Sequence, residues 1–136
     1  MNKHLKRIIE LRARGCCEYC LSPVMFSHDP FCIEHIFPMS KGGNWELSNL
    51  AFSCQGCNGH KSVHTVGKDT LDDVMVPLFH PRQDLWAEHF EWQNNFQLIV
   101  GLTSTGRTTI HRLQLNRPGL QKLRKILVAA GVHPPF

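Results

Sequence analysis

The chain has 136 residues, 15 lysines and arginines against 11 acids for a net charge of +4, and six cysteines. That length makes one domain with a modest core, expected to span 1–136. With no apolar run near membrane length and no leader-like start, a cytoplasmic protein with no membrane partner is expected, where cysteines serve metal rather than disulfides.

Leu5, Ile8 and Ile9 lie on one stripe, with Asn2 as an N-cap and Gly15 as a stop, which predicts a basic N-terminal helix over about 2–14. Next come two Cys-x-x-Cys pairs, Cys17-Glu18-Tyr19-Cys20 and Cys54-Gln55-Gly56-Cys57. The two-residue gap lets both sulfurs of a turn reach one tetrahedral Zn2+ at about 2.3 Å. Four sulfurs leave no open position for water, so this zinc is expected to be structural. Cys16 breaks the spacing and reads as a bystander or an alternate ligand, and Cys32, inside an apolar run, as a small buried hydrophobe.

Between the pairs, Phe31 to Phe37 reads as a strand halted by Pro38, and Asn49 to Ser53 as a second, with turn chemistry at Lys41-Gly42-Gly43-Asn44. Residues from Cys57 onward can start a short helix. His60 and His64 would share its face, and ordinary surface histidines are expected there rather than a metal pair. Residues 65–84 read as a long connection wrapping the core.

The C-terminal extension is expected over about 83–131. Asp84 can cap a helix carrying Leu85, Trp86, His89 and Phe90 as core, and Phe96 to Leu102 reads as a strand. Thr105-Gly106-Arg107 reads as a turn into a short helix with Ile110 and Leu113 inward. Asn116 and Pro118 then open a last helix with the stripe Leu120, Leu123, Leu127 and Ala130 and an outer face of Lys122, Arg124 and Lys125. The whole is an α+β fold with no repeats.

Charge is segregated. Residues 1–17 hold five basic side chains and one acid, residues 18–91 four against ten acids, and residues 92–136 six and no acid. On charge alone two basic ends around an acidic middle read as solvated helix faces; with the motifs below they suit a phosphate backbone gripped by the flanks.

Glu34-His35-Ile36-x-Pro38, Lys41-Gly42-Gly43, Asn49-Leu50 and Cys54-x-x-Cys57-Asn58-x-x-Lys61 stand in one order and spacing that resembles the HNH endonucleases, in the subgroup where a four-cysteine zinc knuckle surrounds the ββα-metal core. That core would span about 17–66. Pro77 to Arg82, His89-Phe90-x-Trp92, Gly101-Leu102-Thr103 with Gly106-Arg107, and Leu115-Asn116-Arg117 are similar to the tail of small stand-alone bacterial members common in cyanobacteria.

The resemblance implies that His35 is the general base, that Glu34 and Asn58 hold one catalytic divalent cation, Mg2+ or Mn2+, and that Asn49 steadies the loop. It implies DNA, most simply double-stranded, as the partner. Lys41, Lys61, Arg117, Lys122, Arg124 and Lys125 are the candidate phosphate contacts. The chemistry agrees: imidazole can take a proton from water at neutral pH, and carboxylate and amide oxygens suit a hard cation. Two departures mark this chain. Many relatives have Asp or His where Glu34 stands, and Ser62 replaces a further helical ligand, so weak, substrate-dependent metal binding is expected. Adjacent strand residues also point to opposite faces, so Glu34 and His35 serve one phosphate only if the strand ends or twists there.

A non-catalytic zinc-knuckle module binding nucleic acid is the alternative, but it has no use for Glu34, His35, Asn49 and Asn58 together. A zinc nucleobase deaminase needs His-x-Glu and a Pro before its second cysteine pair, whereas this chain has Glu34-His35 and Ser53. A Cys-x-x-Cys redox protein needs a βαβ context, which is lacking.

Overall fold

The computed structural model describes residues 2–136. Helix α1 covers Lys3–Arg12, and the Asn2 side chain caps it by accepting from the His4 and Leu5 N–H groups. Past its end Arg14 and Gly15 both take positive φ, a sharp reversal that turns the chain into the first cysteine pair.

Strand β1, Cys32–His35, pairs antiparallel with β2, Leu50–Ser53, so that Glu34 stands opposite Ala51 and His35 opposite Leu50. Every residue of β2 is buried, which explains its continuous apolar run. Helix α2, Gln55–Lys61, follows at once, with Cys54 as its N-cap. Strand, strand, helix is the order expected from sequence. The helix stops at Lys61, where Ser62 adopts φ 52°, so His64 lies beyond it and does not share a helical face with His60.

The segment expected to be a plain connection contains a small hairpin, β3 (Val66–Lys68) with β4 (Met75–Pro77). Asp69, after β3, is buried and receives two hydrogen bonds from Arg107. Helix α3 is one turn, Trp86–His89, and Phe90 begins strand β5 (Phe90–Gln93) rather than continuing the helix. Asp84 does not cap α3; its carboxylate accepts from the His80 N–H instead.

Strand β5 pairs with β6, Leu98–Gly101. Helix α4, Ser104–Leu113, is capped by Thr103, so the expected turn at 105–107 is already helical. Helix α5, Pro118–Ala129, starts with proline in its first turn and ends before Gly131 at φ 77°. Helix α4 packs on α2, β3, β4 and β6, and so joins the N-terminal ββα unit to the extension. One core cluster runs through both, from Ile9, Tyr19 and Phe52 to Phe79, Phe90, Leu113 and Leu120. The architecture is α+β, with three two-stranded antiparallel sheets, and no helix among the described residues is long and apolar enough to cross a membrane.

Candidate functional site

Cys17 and Cys20 sit on the turn after α1, where the Leu21 N–H closes onto the Cys17 carbonyl at 2.9 Å. Cys54 and Cys57 sit at the start of α2. The four Sγ atoms lie within 4.8 Å of one another, and those of Cys20 and Cys54 are 3.8 Å apart. A tetrahedral zinc with bonds of about 2.3 Å requires sulfurs about 3.8 Å apart, so the donor set fits Zn2+ in identity, number and spacing. All four cysteines are buried, and among the described residues they form the one grouping of metal-donor side chains. Cys16 lies outside it, and Cys32 is half-buried rather than buried.

The second group of polar residues lies between β1 and α2. Cys32 and Glu34 share the strand face toward the helix. Asn58 Nδ2 donates to Cys32 Sγ at 3.7 Å, and Lys61 Nζ lies 2.5 Å from Glu34 Oε1. Glu34 is 4% exposed and Lys61 1%. Tyr19 Oη donates to Glu34 Oε2 at 2.5 Å, and Lys61 Nζ also donates to the Ile36 carbonyl at 3.0 Å. Burial pushes the Glu34 carboxyl above its ordinary range, while the Lys61 ammonium and the Tyr19 hydroxyl pull it back. Lys61 is therefore an interior counter-charge, not the surface residue that its sequence position suggested.

His35 points the other way. Its ring meets Trp45 edge-on, centroids 4.3 Å apart, and its Nε2 is buried without a protein partner. Burial holds its pKa below the usual value of 6.5. Glu34 and His35 thus meet different neighbours, as the strand alternation requires.

Asn49 fastens the loop between β1 and β2. Its Oδ1 accepts from the Phe37 N–H at 2.8 Å, and its Nδ2 donates to the Phe37 and Asn44 carbonyls at 3.0 and 2.9 Å. Gly43 packs so closely on the Phe37 carbonyl that a Cβ there would collide with it. Trp45, which the sequence reading did not single out, is 50% exposed despite its size and lies one residue after the clamped Asn44.

The basic candidates divide. Lys41, Lys122 and Lys125 are exposed. Arg124 is 2% exposed, under Trp92, and donates to the Gln97 and Leu115 carbonyls and to Asn116 Oδ1, so the outer face of α5 loses its central charge to the core. Its partners lie on the turn before β6 and on the α4–α5 link, which helical spacing cannot reveal. Arg117 reaches the Cys54 and Cys57 sulfurs.

The structure thus brings together a buried four-cysteine cluster and a ββα unit with an imidazole at the end of its first strand. Residues 17–69 match the family model described as HNH endonuclease, over the stretch where the motifs lie, so the resemblance read from them is borne out there. The chain is also 28% identical over 103 residues to the Septu protein PtuB of Bacillus thuringiensis; the match covers 74% of this chain and 37% of that protein. The chain thus spans little more than a third of that relative's length. No solved structure matches. The family match supports nuclease action on nucleic acid in general.

Proposed function

We propose that this chain is a cytoplasmic endonuclease that hydrolyses DNA phosphodiester bonds as a single domain, with His35 accepting the proton of the attacking water. The observation that carries this reading is the clamp beside His35: Asn49 accepts one side-chain hydrogen bond and donates two, which tie Phe37 and Asn44 on the loop next to a half-buried imidazole whose Nε2 has no protein partner. A base packed edge-on against Trp45 and kept neutral by burial is prepared to take a proton at neutral pH.

Glu34 and Asn58 are the proposed holders of one divalent cation, Mg2+ or Mn2+; Glu34 and His35 face opposite sides, and both reach one phosphate only because β1 ends at His35. The donors fit in kind: both are hard oxygen ligands on the β1–α2 side, and no hydrogen bond to Asn58 Oδ1 is found among the described residues. When bound, such a cation would supply positive charge to the phosphate and the departing oxygen. It must compete with the Lys61 ammonium for Glu34, which supports weak, substrate-dependent binding. Lys41, Lys122 and Lys125 remain exposed to meet double-stranded DNA phosphates.

The closed Glu34–Lys61 pair also favours a second reading, a zinc-knuckle module that binds nucleic acid without cutting it. Supercoiled plasmid incubated with the protein in Mg2+, Mn2+ or EDTA separates the two. The nuclease reading expects nicked or linear DNA with metal and none with EDTA. Retarded but intact plasmid in both metals would refute it and support the binding module.

A further inference from the structure

Four thiolates around one Zn2+ carry a net charge of about −2, and the cysteines that would hold it are buried. Buried charge of that size calls for a counter-charge or hydrogen-bond donors. Arg117, on the α4–α5 link, is placed to give both. Its Nη1 lies 3.6 Å from Cys57 Sγ and its Nη2 3.5 Å from Cys54 Sγ. The same Nη1 donates to the Leu113 and Gln114 carbonyls at 3.3 and 3.2 Å, anchoring on acceptors at the end of α4. The guanidinium is thus held on one side by a helix terminus and turned on the other toward the second cysteine pair.

The sequence makes room for it. Gly56, between Cys54 and Cys57, is not among the glycines at positive φ, so its backbone does not require glycine. What requires it is space: a Cβ at 56 would run into Arg117 Nη2, Cζ and Nε. Glycine at 56 and arginine at 117 are two halves of one contact. A planar fork that serves two sulfurs and two carbonyls is arginine geometry, which a lysine ammonium cannot reproduce.

We propose that Arg117 is an outer partner of the zinc centre, which retains the metal and shields the Cys54 and Cys57 thiolates, and which fastens the C-terminal helices to the knuckle. This rests on the reading that the four cysteines hold zinc, and not on the nuclease reading. Donation to a thiolate withdraws electron density from sulfur, making it a poorer nucleophile and stabilising its metal-bound form. The effect is one-sided: Arg117 touches the second pair and leaves Cys17 and Cys20 alone.

The test uses the full chain purified with its zinc. Zinc release to a chromophoric chelator is timed for wild type, Arg117→Gln, Arg117→Lys and Gly56→Ala. Iodoacetamide labelling of each cysteine is followed by peptide mass spectrometry. Outer partners of metal ligands typically contribute 10- to 100-fold to metal retention, so Arg117→Gln is expected to release zinc about that much faster, with labelling rising first at Cys54 and Cys57. Arg117→Lys should fall between. Gly56→Ala keeps the charge in the chain but displaces the flexible end of Arg117, so it should reproduce the defect even if Arg117→Gln fails to fold. Wild-type release rates in both Arg117→Gln and Gly56→Ala, or labelling that rises equally at all four cysteines, would overturn the proposal. Zinc-free wild-type protein that is folded would remove its premise, and is recognised by metal analysis before any variant is made.

Discussion

Lys61→Met tests the interior of the candidate site most directly, since it deletes an ammonium and keeps the apolar stem. The Lys61 and Glu34 side chains are 2% and 3% exposed and their charged atoms 2.5 Å apart. With an effective dielectric of about 20, two unit charges at that distance attract by about 7 kcal/mol. Desolvation of the two ions costs several kcal/mol each, so the intact pair adds little net stability. Breaking it is another matter, because it leaves a buried carboxylate whose remaining partner is the Tyr19 hydroxyl; such losses cost about 3–5 kcal/mol. Against a domain stability of about 5–15 kcal/mol, that is a large share. Urea unfolding followed by circular dichroism should show this cost for Lys61→Met. Much of it should return in Glu34→Gln/Lys61→Met, because no charge is then left unpaired. The sign of the pH dependence follows from the raised Glu34 carboxyl. Without Lys61 it is raised further, so the folded variant keeps a proton that the unfolded chain releases above about pH 4.3. The variant's deficit should therefore shrink from pH 8 to pH 5. A pH-independent cost below about 1 kcal/mol would refute the buried ion pair.

His35→Ala should cut single-turnover cleavage by about 10²- to 10⁴-fold while binding, zinc content and thermal stability survive; wild-type cleavage in a stable variant would end the base assignment. Because burial holds His35 below 6.5 and only neutral imidazole accepts a proton, the acid limb of the cleavage profile should lie under pH 6.5; a limb above that value would contradict it. Lys122→Ala/Lys125→Ala should weaken DNA binding and flatten its salt dependence by about one unit of slope per lost phosphate contact, without loss of stability. Arg124→Ala, by contrast, should destabilise the fold by its broken hydrogen bonds to Gln97, Leu115 and Asn116, as urea unfolding would report. Tyr19→Phe keeps the ring and leaves Glu34 Oε2 without its donor, which should cost about 1–3 kcal/mol in unfolding with zinc content unchanged.

The N-terminal half was legible because its determinants are local. Two-residue cysteine gaps, an Asn2 cap, a proline after β1 and a burst of apolar residues at β2 each act within a few positions. The β3–β4 hairpin was not, since its strands are three residues each with both end residues exposed and so lack an alternating core face. Trp86 and Phe90 stand four apart, a helical spacing, yet Phe90 opens a strand; two tilted ring contacts, Trp86 with Phe90 and with Trp92, satisfy the same residues across the helix–strand junction. The burial of Lys61 and Arg124 and the half-burial of Arg117 were hidden for another reason. A cation reads as surface unless its partner is known, and these partners lie 27, 60 and 27 positions away for Glu34–Lys61, Cys57–Arg117 and Gln97–Arg124.

Those buried contacts also decide how the two centres depend on each other. Tyr19 lies inside the first cysteine pair; its backbone carbonyl accepts from Trp86 Nε1 at 3.0 Å, its ring stands edge-on to Phe79, and its hydroxyl holds Glu34. The turn that presents Cys17 and Cys20 therefore also presents a donor to the candidate catalytic carboxylate, and the aromatic cluster of the extension braces that turn from behind. Zinc loss would free the turn and so remove one of the two partners of Glu34. Any coupling through Tyr19 is reciprocal, so whatever the knuckle contributes to the carboxylate the carboxylate contributes to the knuckle. The Tyr19 hydroxyl pulls the Glu34 carboxyl less than Lys61 does, so the four-cysteine turn adjusts the carboxylate while burial and Lys61 decide its charge.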